Sequence, residues 1–125
     1  MARLLRKVTI QGRPAMALFD TGSARSYVLS KFAEGAPGIK AEPPYSVGLW
    51  GKTITVTEEC IVRGEIEGLG FIMKAVPIKD IGSIDGQEVE TIVGTTAIEE
   101  WEMRIDLAKG QLDLSGLRRR EFTEF

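Results

Sequence analysis

One stretch constrains this chain more than any other: Ala17-Leu18-Phe19-Asp20-Thr21-Gly22-Ser23. Ala15 to Phe19 is continuously apolar, as in a strand buried on both faces. It runs directly into Asp20-Thr21-Gly22, residue types that suit a tight turn. The sequence therefore predicts a carboxylate on a short loop at the end of a buried strand. The triplet occurs once. If it is catalytic, one chain holds half an active site and must dimerise to work.

Composition narrows the chemistry. A chain of 125 residues fits a single domain, read as 1–125, with ample length for one hydrophobic core. A formal net charge of -2 gives no electrostatic reason to expect nucleic acid. No apolar run approaches a membrane span, so no membrane partner is expected. Met1-Ala2-Arg3-Leu4-Leu5-Arg6-Lys7 has basic residues without the apolar core of a signal peptide. Cys60 is the single cysteine, so an internal disulfide is impossible and a reducing, cytoplasmic location is expected. The absence of histidine excludes Ser-His and Cys-His nucleophile pairs within the chain. It also excludes histidine-based zinc sites, and one thiol cannot build a thiolate cage. No metal or cofactor is implied, and no Gly-x-x-x-x-Gly-Lys phosphate loop occurs. Carboxylates, hydroxyls, Lys and Arg remain.

The rest of the chain reads mostly as strands. Val8 and Ile10 alternate with Thr9 and Gln11, and Gly12-Arg13-Pro14 turns the chain. Tyr27-Val28-Leu29 is a second short apolar run. Residues 35–44, with Gly35, Pro37, Gly38, Pro43 and Pro44, read as a surface loop. Residues 45–57 read as a hairpin, rich in threonine and β-branched residues. Strands follow around Cys60–Ile66 and Phe71–Ile78, then a Gly/Asp loop at 82–86. Thr91-Ile92-Val93-Gly94 reads as a short buried strand ending in glycine. One helix of roughly two turns follows, with Thr96 and Glu99 as a capping box and Ile98 and Trp101 on one face. Arg104–Leu107 and Gln111–Leu114 flank Ala108-Lys109-Gly110 as a final hairpin. The tail from Leu117 to Phe125 is charged, with two aromatics.

In this order, an aliphatic strand entering Asp-Thr-Gly, a glycine-tipped hairpin, an aliphatic-aliphatic-Gly strand and a short helix resemble the retropepsin-like aspartic proteases. These are the single-domain relatives of pepsin. The resemblance covers roughly residues 4–115, on the strand count of a small barrel. It implies an all-β, closed acid-protease barrel with one short helix near its C-terminal end. It implies an aspartic endopeptidase, active as a homodimer on polypeptide substrates. Asp20 would be the catalytic carboxylate. Thr21 would face the dimer axis and bond the partner's loop, and Gly22 would present its backbone to substrate. Gly48-Leu49-Trp50-Gly51 would form the tip of a mobile flap, where glycine permits positive φ and Leu49 and Trp50 cover bound peptide. Gly94 would line the substrate cleft. Ser23 would hydrogen-bond the outer oxygen of Asp20.

The chemistry of such a site stands apart from the family name. Two carboxylates held about 3 Å apart cannot both ionise, so they share one proton. One then acts as general base on a water and the other as general acid. A two-fold axis is the simplest way for a short chain to supply both. The sequence also departs from the retroviral pattern. Ser23-Ala24-Arg25 stands where Ala and then acidic residues are usual. Thr95-Thr96 stands where Arg followed by Asn or Asp is usual. Both sides of an ion pair are thus replaced together. Residues 2–7 and 117–125 would interleave in the dimer, with Leu117, Phe122 and Phe125 as apolar contacts, or else form a flexible tail. Two further readings compete: a non-proteolytic dimerisation or peptide-binding module on the same fold, and an unrelated small β-barrel.

Overall fold

The computed structural model describes residues 2–124. Among these the chain runs β1 (Arg3–Ile10), β2 (Arg13–Asp20), β3 (Ser26–Leu29), α1 (Ser30–Ala33), β4 (Gly38–Leu49), β5 (Lys52–Ile66) and β6 (Leu69–Ile78). It continues with β7 (Gly82–Ile84), β8 (Gln87–Val89), β9 (Thr91–Gly94), α2 (Thr95–Glu100), β10 (Arg104–Asp106), β11 (Gln111–Asp113) and α3 (Ser115–Arg119). The protein is mostly β. Seven strands form one sheet in the order β1-β2-β9-β3-β6-β5-β4, and β1 also pairs with β5 through Thr9–Glu65 and Ile10–Gly64.

The two apolar runs that the sequence marks as buried become the middle of this sheet. All four residues of β9 are buried, as are the last four of β2. β9 enters between β2 and β3, parallel to the first and antiparallel to the second. Strands with neighbours on both edges and side chains packed on both faces have no use for polar alternation. The edges and hairpins do alternate. In β5, Cys60, Val62 and Ile66 point inward, toward Phe71 and Met73 of β6. The buried polar side chains of β3 and β9 are satisfied locally: the Thr91 hydroxyl donates to the Tyr27 carbonyl at 2.7 Å.

Cys60 lies at the centre of this packing, 1% exposed, with its thiol donating to the Ala75 carbonyl at 3.4 Å. Burial pushes its pKa up, and the nearby Glu58 and Glu59 carboxylates push it further. The thiolate is the nucleophile, so the folded thiol is expected to resist iodoacetamide at mildly alkaline pH. It should react readily once the chain is unfolded in urea; rapid modification of the native protein would contradict this packing. The folded thiol holds its proton to higher pH than the unfolded one. Its contribution to stability is therefore full below the ordinary thiol pKa and declines as pH rises above it.

Several expectations need correction. Residues 38–44 are strand rather than loop. β4 is an edge strand whose register shifts between Lys40 and Tyr45, and Pro43 and Pro44 sit in that irregularity, where no ladder N–H is required of them. The Gly/Asp stretch at 82–86 is the β7–β8 hairpin, turning at Asp85-Gly86 with φ of 51° and 77°. Among the described residues three short helices occur rather than one. The helix expected near Thr96 is α2, but its cap is Gly94 and no side chain caps it. The tail does not leave the body of the chain at Leu117. Leu117 is fully buried in the protein's own core and so is not a dimer contact in this chain. Phe122 meets the Trp101 ring edge-on at 5.5 Å, Arg120 stacks on the same ring, and its guanidinium donates to the Gly70 carbonyl. Phe125, the third expected contact, lies outside the described residues.

Candidate active site

Asp20 is the last residue of β2 and stands opposite Gly94, the last residue of β9, in their parallel pairing. The chain then turns. The Gly22 N–H donates to Asp20 Oδ1 at 2.8 Å, and the Ser23 N–H to the Asp20 carbonyl at 3.2 Å. Such a turn uses the short Asp side chain to hold its own loop. The second carboxylate oxygen, Oδ2, lies 3.5 Å from Arg3 Nε. Asp20 is only 4% exposed, yet every polar contact holds its carboxylate at the open end of the sheet rather than in the apolar interior.

The loop is pinned from two sides. On one, the Thr21 N–H donates to the Ala2 carbonyl at 2.9 Å, and the Ala2 N–H donates to Thr21 Oγ1 at 2.8 Å. On the other, the start of α2 closes over it. Thr95 Oγ1 donates to the Thr21 carbonyl and the Thr95 N–H to the Ser23 carbonyl, both at 2.7 Å; the Thr96 N–H reaches the Ala24 carbonyl at 3.3 Å. The Thr96 N–H that a capping box with Glu99 would satisfy is thereby taken, and Thr96 lies inside α2 rather than at its cap. Below the loop, the Gly94 N–H donates to the buried Ser26 Oγ at 3.0 Å.

Facing the loop is the β4–β5 hairpin. Its two-residue turn is Trp50-Gly51, with φ of 50° and 81°, the left-handed pair that matches the twist of two antiparallel strands. Glycine accepts that conformation freely; Trp50 does not, and its ring is held by packing instead. It lies against Gly82, where an added Cβ would sit 2.9 Å from the indole, and the Arg3 guanidinium lies 5.5 Å above it. Lys52 and Asp80 pair at 3.2 Å beside the same turn. Between loop and hairpin lies a cleft of about 550 Å³, with Arg3, Asp20 and residues 22–25 on one wall, Tyr27 beneath, and residues 46–50 on the other.

Of the residues singled out from sequence, Asp20, Gly22, Ser23, Gly48, Leu49 and Trp50 border this cleft. Thr21 and Gly51 stand outside it. Gly94 is a correction: it packs beneath the loop, against the carbonyls of Ser23 and Arg25, and does not line the cleft. Ser23 is another. Its hydroxyl donates to the Arg25 carbonyl at 2.8 Å, not to Asp20, whose oxygens are taken by Gly22 and Arg3. Leu49 is 7% exposed and belongs to the core, so of the two large residues at the tip only Trp50 is partly exposed. Sequence reading missed Arg3, Arg25 and Ser26. Arg3 had a signal. The β1–β2 turn falls at Gln11-Gly12, one place before the expected Gly12-Arg13-Pro14, and that register brings Arg3 opposite Asp20.

Strand order, the loop at Asp20, the crossing of β9 and the following helix together define a retropepsin-like fold. Among solved structures, the retroviral protease-like domain of Ddi1 from Leishmania major superposes with a TM-score of 0.59 at 17% identity, covering 92% of this chain and 90% of that one. The protease of equine infectious anaemia virus (EIAV), solved with the inhibitor HBY-793, gives 0.57 at 17% identity, covering 85% and 94%. Simian foamy virus (mac) protease gives 0.51 at 12% identity, covering 78% and 92%. No protein-family model matches the sequence, and no curated protein matches it. The likeness is therefore one of fold.

Proposed function

We propose that this chain is an aspartic endopeptidase, active as a homodimer in which two Asp20 carboxylates share one water. The observation that carries this reading is the placement of Asp20. A nearly buried carboxylate ends a central strand, is oriented by its own loop amide, and borders a cleft beneath a hairpin tip. On this reading one Asp20 takes a proton from the water as its oxygen attacks the peptide carbonyl carbon. The other, protonated, gives its proton to the carbonyl oxygen. Collapse of that tetrahedral species breaks the C–N bond, and the amine leaves with a proton returned from the dyad. Thr21 is exposed at the loop tip, where the two-fold contact of this reading falls. The same reading takes the sheet as a closed barrel, with the β1–β5 pairing as its seam, and the hairpin tip as a moving flap. The unpaired buried thiol of Cys60 favours a reducing, cytoplasmic setting.

The test is a peptide library incubated with the protein from acid to neutral pH over a range of protein concentrations, with mass spectrometry as readout. Cleavage is expected, at a rate rising roughly with the square of concentration while most chains are monomeric. A rate strictly proportional to concentration from a species of monomer mass would overturn the homodimer. No cleavage by a folded dimer would overturn the peptidase.

One observation favours a second reading, a non-proteolytic dimerisation or peptide-binding module. The Asp20 loop is hydrogen-bonded within one chain, through Ala2 and Arg3, so it is stable without a partner. The distance between Asp20 carboxylates in a crystallised dimer separates the two. Approach around one water supports hydrolysis, and wide separation supports binding alone.

A further inference from the structure

Arg25 stands on the wall of the same cleft, two residues beyond Ser23, and among the described residues no ion pair holds it. Among the described residues, no carboxylate lies within ion-pair distance of its guanidinium, and its side chain makes no hydrogen bond. Two carboxylates beside it are engaged elsewhere. Asp20 is paired with Arg3. Glu59 is held by Lys74 at 3.1 Å and accepts from the Tyr45 hydroxyl at 3.0 Å. That second contact matters, because the Arg25 guanidinium rests on the Tyr45 ring, 4.9 Å from its centre. Lys74, Glu59 and Tyr45 thus form a braced platform beneath the cation, which limits the conformational freedom Arg25 must lose when it binds a ligand. An arginine presents donors in a planar fork that matches a carboxylate, and the described residues bring no such acceptor to it.

We infer that Arg25 determines specificity, selecting an acidic side chain in the polypeptide that the cleft receives. This rests on the peptide-cleft reading above. The cleft walls carry two guanidiniums, Arg3 and Arg25, against the single carboxylate of Asp20, so an extended peptide meets a surplus of positive charge. Arg3 is committed to Asp20 and to the Trp50 ring, which leaves Arg25 as the cation for substrate. In a two-fold dimer it is presented twice, once in each half of the cleft. The preferred substrate is a polypeptide with Asp or Glu at a fixed distance from the scissile bond.

The experiment compares wild type, Arg25→Gln and Arg25→Glu on one synthetic library containing acidic, neutral and basic residues at every position. Cleavage and peptide retention on immobilised protein are both read, and circular dichroism checks that each variant is folded. Wild type is expected to favour Asp or Glu at one position by about tenfold in kcat/KM. Arg25→Gln should flatten that preference and Arg25→Glu should turn it toward Lys and Arg. The wild-type preference should weaken as salt is raised. Cleavage with no acidic preference, or with a preference that Arg25→Glu leaves unchanged, overturns the inference while the peptidase stands. Arg25-dependent retention of acidic peptides without cleavage overturns the peptidase while the inference stands. Neither cleavage nor retention overturns both.

Discussion

Asp20→Asn is expected to remove peptidase activity while leaving the fold intact. The substitution keeps the shape of the side chain, and the amide oxygen can still accept the Gly22 N–H now bonded to Oδ1 at 2.8 Å. The loop geometry and its ties to Ala2 and Thr95 do not depend on charge. The ion pair with Arg3 is lost and the new amide NH2 meets that guanidinium donor to donor; the arginine side chain is 39% exposed and turns to water, so the cost in stability should be about 1 kcal/mol. Catalysis is affected differently. A carboxamide neither accepts a proton from water nor donates one to a leaving group at ordinary pH. Removing a general acid–base group costs about 10²–10⁴-fold in rate, and here both copies lose theirs together. The variant should therefore melt within a few degrees of wild type and cleave nothing measurable in the library assay. Retained cleavage by a clean Asp20→Asn preparation would sink the aspartic mechanism. Joint loss of activity and fold would show Asp20 to be structural.

How far the sequence carries such conclusions differs between parts of the molecule. The central strands were legible because burial on both faces leaves an unbroken apolar run, as in residues 15–19 and, more briefly, 92–94. The turn at Asp20 was legible from residue type. What stayed hidden depends on register or on distant partners. Pro43 and Pro44 mark a loop by composition, yet an edge strand with a register shift accommodates both. Thr96 and Glu99 have capping-box spacing, but the Ala24 carbonyl, far off in sequence, takes the Thr96 amide, and α2 starts a residue earlier, at Thr95. Leu117 sits among charges and reads as tail; only the packed structure shows it fully buried. Ser23 resembled a partner for Asp20 by proximity in sequence, whereas its hydroxyl turns toward Arg25. The charge of the cleft was hidden for a similar reason. Arg3 and Arg25 come from opposite sides of Asp20 in sequence and converge only when β1 pairs with β2.

Gly94→Ala should cost more stability than any other single-methyl change at the site. Its backbone, with φ of -87° and ψ of 176°, is open to any residue, so the constraint is space rather than conformation. A Cβ built there lies 2.7 Å from the Ser23 carbonyl oxygen and nearer still to that of Arg25. Both obstacles are main chain, and neither is at liberty to move. The Ser23 carbonyl accepts the Thr95 N–H, and the Arg25 carbonyl accepts the Ser23 hydroxyl. Relief requires lifting the Asp20 loop away from β9 and breaking the bonds that tie it to α2. Overpacking against fixed backbone of this kind costs about 3 kcal/mol. Against a total stability of roughly 5–15 kcal/mol, that should lower the melting temperature by about 10 °C. Activity should fall further than stability does, because the displaced segment is the one that orients the carboxylate. Gly48→Ala is the matched control. It borders the cleft, but nothing lies within 4 Å of its added methyl, so stability should change by under about 0.5 kcal/mol. Thermal and urea unfolding of the two variants beside wild type decides the matter. A Gly94→Ala protein as stable as wild type would mean that β9 does not pass beneath the loop as closely as the structure places it.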